Sequence, residues 1–168
     1  MLAGHFCTPL MEIIDMRFVP SATFLITLAL AAGCSSSPTQ AAPEQVLNWG
    51  PAPAIFPAGA QMAVLQGNPG GTALFTVRLR LPDGYKIPPH THPTDENVTV
   101  VSGTFKVGMG PTFDATAMTT LGTGGFVTAP ANGAHFAVAQ GETVVQVHAL
   151  GPFAMTYINP ADTPAAAR

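Results

Sequence analysis

The sequence predicts an all-β domain, on three observations. Hydrophobic residues make up 47% of the 168 residues and charged residues only 9%, a balance that suits a well-buried core and not a disordered chain. Gly and Pro number 17 each and recur throughout, which favours many short strands over long helices. From Gln61 onward, short β-like runs alternate with turn signals, and no segment carries a convincing 3.6-residue period.

The N-terminus reads as a targeting segment spanning residues 1–33. Arg17 precedes an apolar run from Phe24 to Ala32, followed by Gly33 and Cys34, the order of a secretory signal. The run is too short for a comfortable membrane-spanning helix. Leu30-Ala31-Ala32-Gly33-Cys34 resembles the lipobox of bacterial lipoproteins, which implies lipidation of Cys34, although Ala31 stands where a larger aliphatic residue is usual. Met16-Arg17 looks like the functional start, leaving Met1 to Asp15 as a mis-assigned beginning. The expected location is therefore the cell envelope, either lipid-anchored and facing the periplasm from the outer membrane, or plainly periplasmic. The two cysteines, Cys7 and Cys34, both precede the domain, so no disulfide framework is expected.

Residues 34–60 read as a flexible tether and a Pro-rich approach whose apolar residues pack across one mouth of the domain. The domain itself occupies residues 61–158. Strands are expected near 61–66, 72–81, 86–92, 96–102, 104–109, 125–129, 134–140, 143–149 and 154–158. Asn68-Pro69-Gly70-Gly71, Asp83-Gly84, Ser102-Gly103, Gly122 to Gly125, Asn132-Gly133 and Gln140-Gly141 divide them. One helical turn fits between Asp114 and Leu121. Residues 159–168 form a Pro/Ala tail with nothing to bury.

The stretch that carries chemistry runs from Gly84 to Gly103. On an extended strand His90 and His92 project to one face, because side chains alternate with period two. Pro93 stops that strand and Glu96 opens the next, returning a carboxylate to the same region. His-x-His alone is weak, since two histidines on a half-exposed strand are common. The whole stretch, however, fits Gly-x5-His-x-His-x3-Glu-x6-Gly at every fixed position. A second stretch, Gly124 to His135, fits Gly-x5-Pro-x4-His with its proline at Pro130.

Together these stretches resemble the two conserved motifs of the cupin superfamily. The resemblance covers most of the chain from Gln61 to Ile158 and implies a small antiparallel β-barrel or jelly roll with a metal ion in its lumen. Its ligands would be His90, His92, Glu96 and His135. The second motif departs from the family at two places. Asn132 replaces a glycine, which its tolerance of left-handed backbone allows, and Ala139 replaces an asparagine that is not a ligand. Three imidazoles and a carboxylate suit one divalent transition metal, Fe, Mn, Ni, Cu or Zn. A structural zinc site would more often use cysteines.

Other candidates have plainer readings. His148 shares a strand face with Gln146 and reads as a surface or homodimer contact. Arg78 and Arg80 line one polar strand face. Asp95 lies in a turn and is expected to be solvated, and Tyr85 and Lys86 to sit at the barrel rim. Phe75, Phe105 and Phe126 are candidates for an apolar wall around the ion, and Tyr157 could line a mouth or the core.

Net charge is −3, which gives no basic face for nucleic acid. The expected partner is a small-molecule ligand or substrate, with membrane contact only through a lipid anchor. Two functions stay open: a metal-dependent enzyme of dioxygenase or isomerase type acting on a small oxygenated substrate, or a non-catalytic binding or sensing module with a structural metal.

Overall fold

The computed structural model describes residues 46–165; the signal-like segment, Cys34 and most of the tether lie outside them. Among the described residues nine strands form one antiparallel, curled sheet: β1 (Gly50–Pro51), β2 (Gln61–Gln66), β3 (Leu74–Leu81), β4 (Lys86–Thr91), β5 (Glu96–Met109), β6 (Thr119–Leu121), β7 (Phe126–Ala129), β8 (His135–Leu150) and β9 (Thr156–Tyr157). This is the expected all-β, jelly-roll-like architecture.

Its organising feature is a long ribbon of β5 against β8, paired from Glu96↔Ala149 at one end to Met109↔His135 at the other. Fully extended, the 13 steps of β5 would span roughly 40 Å. The ribbon bends instead, at irregularities in register between Val100 and Thr104, opposite Gln140 to Val145. Gly103 (φ 82°) and Gly141 (φ 73°) adopt left-handed backbone at that bend, the usual device of a bulge. One arm carries β3, β2 and β1 on the β8 side and β7 on the β5 side; the other carries β4, β9 and β6.

The bend also corrects a face problem. The inward residues of β5 are Val98 and Val100 on the first arm but Phe105 and Val107 on the second, a change of parity across the bulge. On β8 the inward set keeps one parity through Ala137, Ala139, Val145, Val147 and Ala149. Phe75, Val77, Leu79 and Leu81 add the inner face of β3. Thr143 sits at the corner, fully buried, with its hydroxyl 3.0 Å from the Thr104 carbonyl.

Four sequence expectations need correction. Gly103 and Gly141 do not end strands; each bends a strand that continues, because its partner bends with it. The one helical turn expected between Asp114 and Leu121 forms, as a three-ten turn (Ala115–Ala117) capped by Asp114, but the segment then becomes β6, paired to β5, a strand that was not expected. Tyr85 is buried, not at the rim, because its hydroxyl donates to the Pro57 carbonyl; burial raises its pKa. Residues 162–164 of the tail are half-buried, and Asp162 and Pro164 line a groove with the 51–60 segment. That Pro-rich segment does pack over the domain. Phe56 enters the core, against Phe153 at 5.7 Å between ring centroids, and the Tyr157 hydroxyl donates to the Ile55 carbonyl at 2.7 Å.

Candidate metal centre

His90 and His135 are direct partners in the β4–β8 pairing. On β4 the inward residue before them is Ile87, of opposite parity; the irregularity at Pro88-Pro89 turns the strand so that His90 and then His92 face the lumen. Prolines cannot donate to a ladder, which is why they sit at such a break. Pro93 and Thr94 turn the chain, with Thr94 Oγ1 donating to the Leu150 carbonyl at 2.7 Å. Glu96 then begins β5 on the inward face.

Glu96 and His135 lie at opposite ends of the β5–β8 ribbon, yet the bend brings Glu96 Oε2 to 3.3 Å from His135 Nε2 and 3.4 Å from His92 Nε2. The His90 ring lies 4.2 Å from His135 and 4.9 Å from His92, centroid to centroid. One potential ligand atom from each of the four residues falls within 4.8 Å of the others, and all four residues are buried.

Each imidazole is held from behind. His90 Nδ1 faces the Pro88 carbonyl at 2.7 Å, His92 Nδ1 that of Ala154 at 2.6 Å, and His135 Nδ1 that of Gly133 at 3.1 Å. A carbonyl can only accept, so each Nδ1 carries a proton, and in the neutral ring each Nε2 then offers its lone pair to the centre. His92 Nε2 and His135 Nε2 are buried without a hydrogen-bond partner, since their approach to Glu96 lacks hydrogen-bond geometry. Orphaned buried nitrogens are costly, and a cation bound by their lone pairs removes that cost. The residues present therefore fit a divalent transition ion, and the buried three-His, one-Glu cluster suggests a metal site.

Electrostatics prepare the set. Burial, then the His135 imidazole, pushes His90 down from its ordinary 6.5 to about 3, so it stays neutral. Burial would lower His92 too, but Glu96 outweighs it and holds His92 above 6.5. Burial would raise Glu96, yet the facing His135 and His92 outweigh it and keep the carboxyl below its usual range. A pH effect on the metal-free fold follows. A group whose folded pKa is depressed loses stability as pH falls, because the unfolded chain takes up the proton first. His90 acts over pH 6.5 to about 3 and Glu96 below 4.5; His92, being raised, opposes them near neutrality. Thermal melts of metal-free protein are expected to show Tm falling steadily below pH 6, and less steeply in His90→Ala.

The two motif segments are stitched together. Asn132 N–H donates to the His92 carbonyl at 2.8 Å, and Ala131 N–H donates to Asp95 Oδ1 at 2.7 Å. Asn132 adopts φ 59° in a turn closed by Gly133 N–H to the Pro130 carbonyl, the left-handed role expected of it. Asp95 is exposed as expected, but its anchoring of Ala131 was not foreseen. Neither was the Ala154 carbonyl behind His92, nor Phe153, whose ring stacks on His92 at 5.6 Å. A backbone carbonyl has no sequence signature, so only the fold could reveal these.

The lumen beside the ligands is a cavity of about 20 Å³ lined by His90, Glu96 and His135 and otherwise by apolar side chains, among them Phe56, Phe105, Val107, Val127 and Met155. Phe105 thus forms part of the expected apolar wall and Phe75 is core, whereas Phe126 points outward and is 57% exposed. His148 lies on the outer face, exposed, with Nδ1 2.8 Å from Thr76 Oγ1. Arg78 and Arg80 share that face, pairing with Gln146 and Gln61 side chains. Tyr157 gives its hydroxyl to the Ile55 carbonyl, its ring 6.1 Å from that of His90.

Solved structures with the same fold include a putative acetylacetone dioxygenase from Methylibium petroleiphilum, at 22% identity over 72% of this chain and 84% of that one, with a TM-score of 0.54. A DMSP lyase from Ruegeria pomeroyi matches at 20% identity over 66% of this chain and 60% of that one, with a TM-score of 0.51. At these identities the likeness is one of fold. No curated protein matches. Over residues 40–154, however, the sequence matches the family model described as the ChrR cupin-like domain. With that match over most of its length, the chain belongs to the ChrR cupin-like domain family, a branch of the cupin superfamily.

Proposed function

We propose that this cupin holds one divalent transition metal through His90, His92, Glu96 and His135 and acts as a dioxygenase-type enzyme on a small oxygenated substrate. The observation that carries this reading is the buried ring of Nδ1-anchored imidazoles, with two partnerless Nε2 atoms, in an otherwise apolar lumen. A redox-active ion bound there would supply Lewis acidity and an electron path between substrate and O₂. The three carbonyls behind the histidines fix ring orientation and tautomer. Glu96, held ionised, serves as ligand or as acceptor of a substrate proton. The apolar wall excludes water, which protects reactive species from hydrolysis. Among the described residues lining the cavity, Glu96 is the one carboxylate.

The cavity volume supports a second reading. About 20 Å³ accommodates little more than a water, as suits a centre that captures a very small ligand without turning it over. Anaerobic loading with Fe(II), Mn(II), Ni(II) or Cu(II), followed by O₂ uptake over phenolics, diols and β-diketones, separates the two. Uptake with any substrate supports the enzyme; silence across the panel in metal-loaded protein supports capture.

From the signal-like order of Arg17, the apolar run and Cys34, we also propose a cell-envelope location with a lipid anchor on Cys34. Labelled fatty acid is expected in the wild-type chain and not in Cys34→Ser. A soluble, unlabelled wild-type product would leave only a plain secretory signal.

A further inference from the structure

The walls of the metal cavity are buried at every residue but two, Val127 and Met155, which are half-buried. The cavity therefore approaches the surface at these two places. Val127 and Val107 also line a surface groove, whose remaining walls include Met109, Leu121 and Phe126. That groove lies between the ends of β6 and β7. Both strands pair only with β5, and the bend of the ribbon sets them on opposite arms with no ladder joining them. Met155 also lines a surface groove, with Ile55, Tyr157 and Pro160, but there the Pro-rich segment forms one wall and is tied down by the Tyr157 hydroxyl on the Ile55 carbonyl at 2.7 Å. On the β6–β7 groove side, Phe126 and Met109 stand 57% and 51% exposed at the rim.

Resting on the metal-centre reading above, we propose that the β6–β7 groove is the route by which small molecules reach the centre. Val107 and Val127 set its width. Thr119 is the one polar side chain among its walls, so the route admits compact, uncharged, largely apolar molecules that carry an oxygen donor. Sugars and polyanions are rejected, because their polar groups would lose water without gaining partners. Val127 is thus the specificity-determining position for size.

The test uses metal-free protein and diethyl pyrocarbonate, a small uncharged reagent that acylates neutral imidazole nitrogen. Mass spectrometry reads each histidine separately, and exposed His148 serves as the internal reference. Val127→Ala is expected to speed labelling of His90 and His135, the two histidines that line the cavity, about tenfold relative to His148. Val127→Ile should slow it, and Met155→Ala should speed it less than Val127→Ala does. Acceleration in Met155→Ala equal to or greater than that in Val127→Ala overturns the route, as does indifference to both Val127 variants. Adding Co(II) to the same assay reports on the metal reading by itself: if Co(II) fails to shield His92 and His135, that reading falls, whatever the order of the variants.

Discussion

Replacing His90 and His92 together by alanine is expected to take the chain from about one bound divalent ion to none. The pair supplies two of four candidate ligands, and His92 also faces Glu96 at 3.4 Å. Elemental analysis of protein made without an affinity tag gives the stoichiometry. Thermal melts give a second readout, since an ion present at 100 times its Kd stabilises the fold by about 2.7 kcal/mol. Wild-type Tm should rise on adding metal and the double variant's should not. His135→Ala is expected to cost at least about tenfold in affinity, the scale on which even supporting groups are felt. His148→Ala should cost nothing, because that ring lies on the outer face against Thr76. Unchanged binding in the double variant would sink the ligand assignment. A larger loss in His148→Ala than in His135→Ala would show that the segment from Pro130 to His135 had been misread.

The candidate ligands were legible because the two stretches that carry them resemble the cupin motifs. His90 and His92 are two residues apart on one extended segment, Glu96 follows a proline turn, and His135 stands five residues beyond Pro130. The first spacing puts both rings on one face of an extended strand, and the others match the motif pattern. Asn132 was legible from its tolerance of left-handed backbone. What escaped depends on partners far along the chain. Gly103 and Gly141 read as turns because a glycine looks the same whether a strand ends or bends there; only their juxtaposition across the ribbon decides. Tyr85 follows a turn and reads as rim, until the Pro57 carbonyl supplies a partner for its hydroxyl. Phe126 reads as wall because it sits among apolar neighbours, but β7 turns its neighbour Val127 inward instead. Asp95 carries no motif, and its contact with Ala131 joins residues 36 apart.

Gly103→Ala is expected to destabilise the domain by about 3 kcal/mol, combining left-handed strain with overpacking. A Cβ at Gly103 would lie 2.5 Å from the Glu142 carbonyl oxygen and 2.9 Å from Thr143 Cα, so backbone must move. Gly84 makes the matching control: its φ is 70°, against 82° at Gly103, and nothing lies within 4 Å of the Cβ it would gain. Gly84→Ala should therefore cost only the left-handed strain, about 1 kcal/mol. On a domain of this size the difference amounts to roughly 5–10 °C in Tm. The corner also sets the distance between the two arms, and Glu96 and His135 meet only because the ribbon folds there. In refolded Gly103→Ala the metal affinity should fall with stability, while Gly84→Ala keeps wild-type affinity. Equal melting temperatures in the two variants would mean that the corner yields freely. The bend at Gly103 would then not be what holds Glu96 against His135.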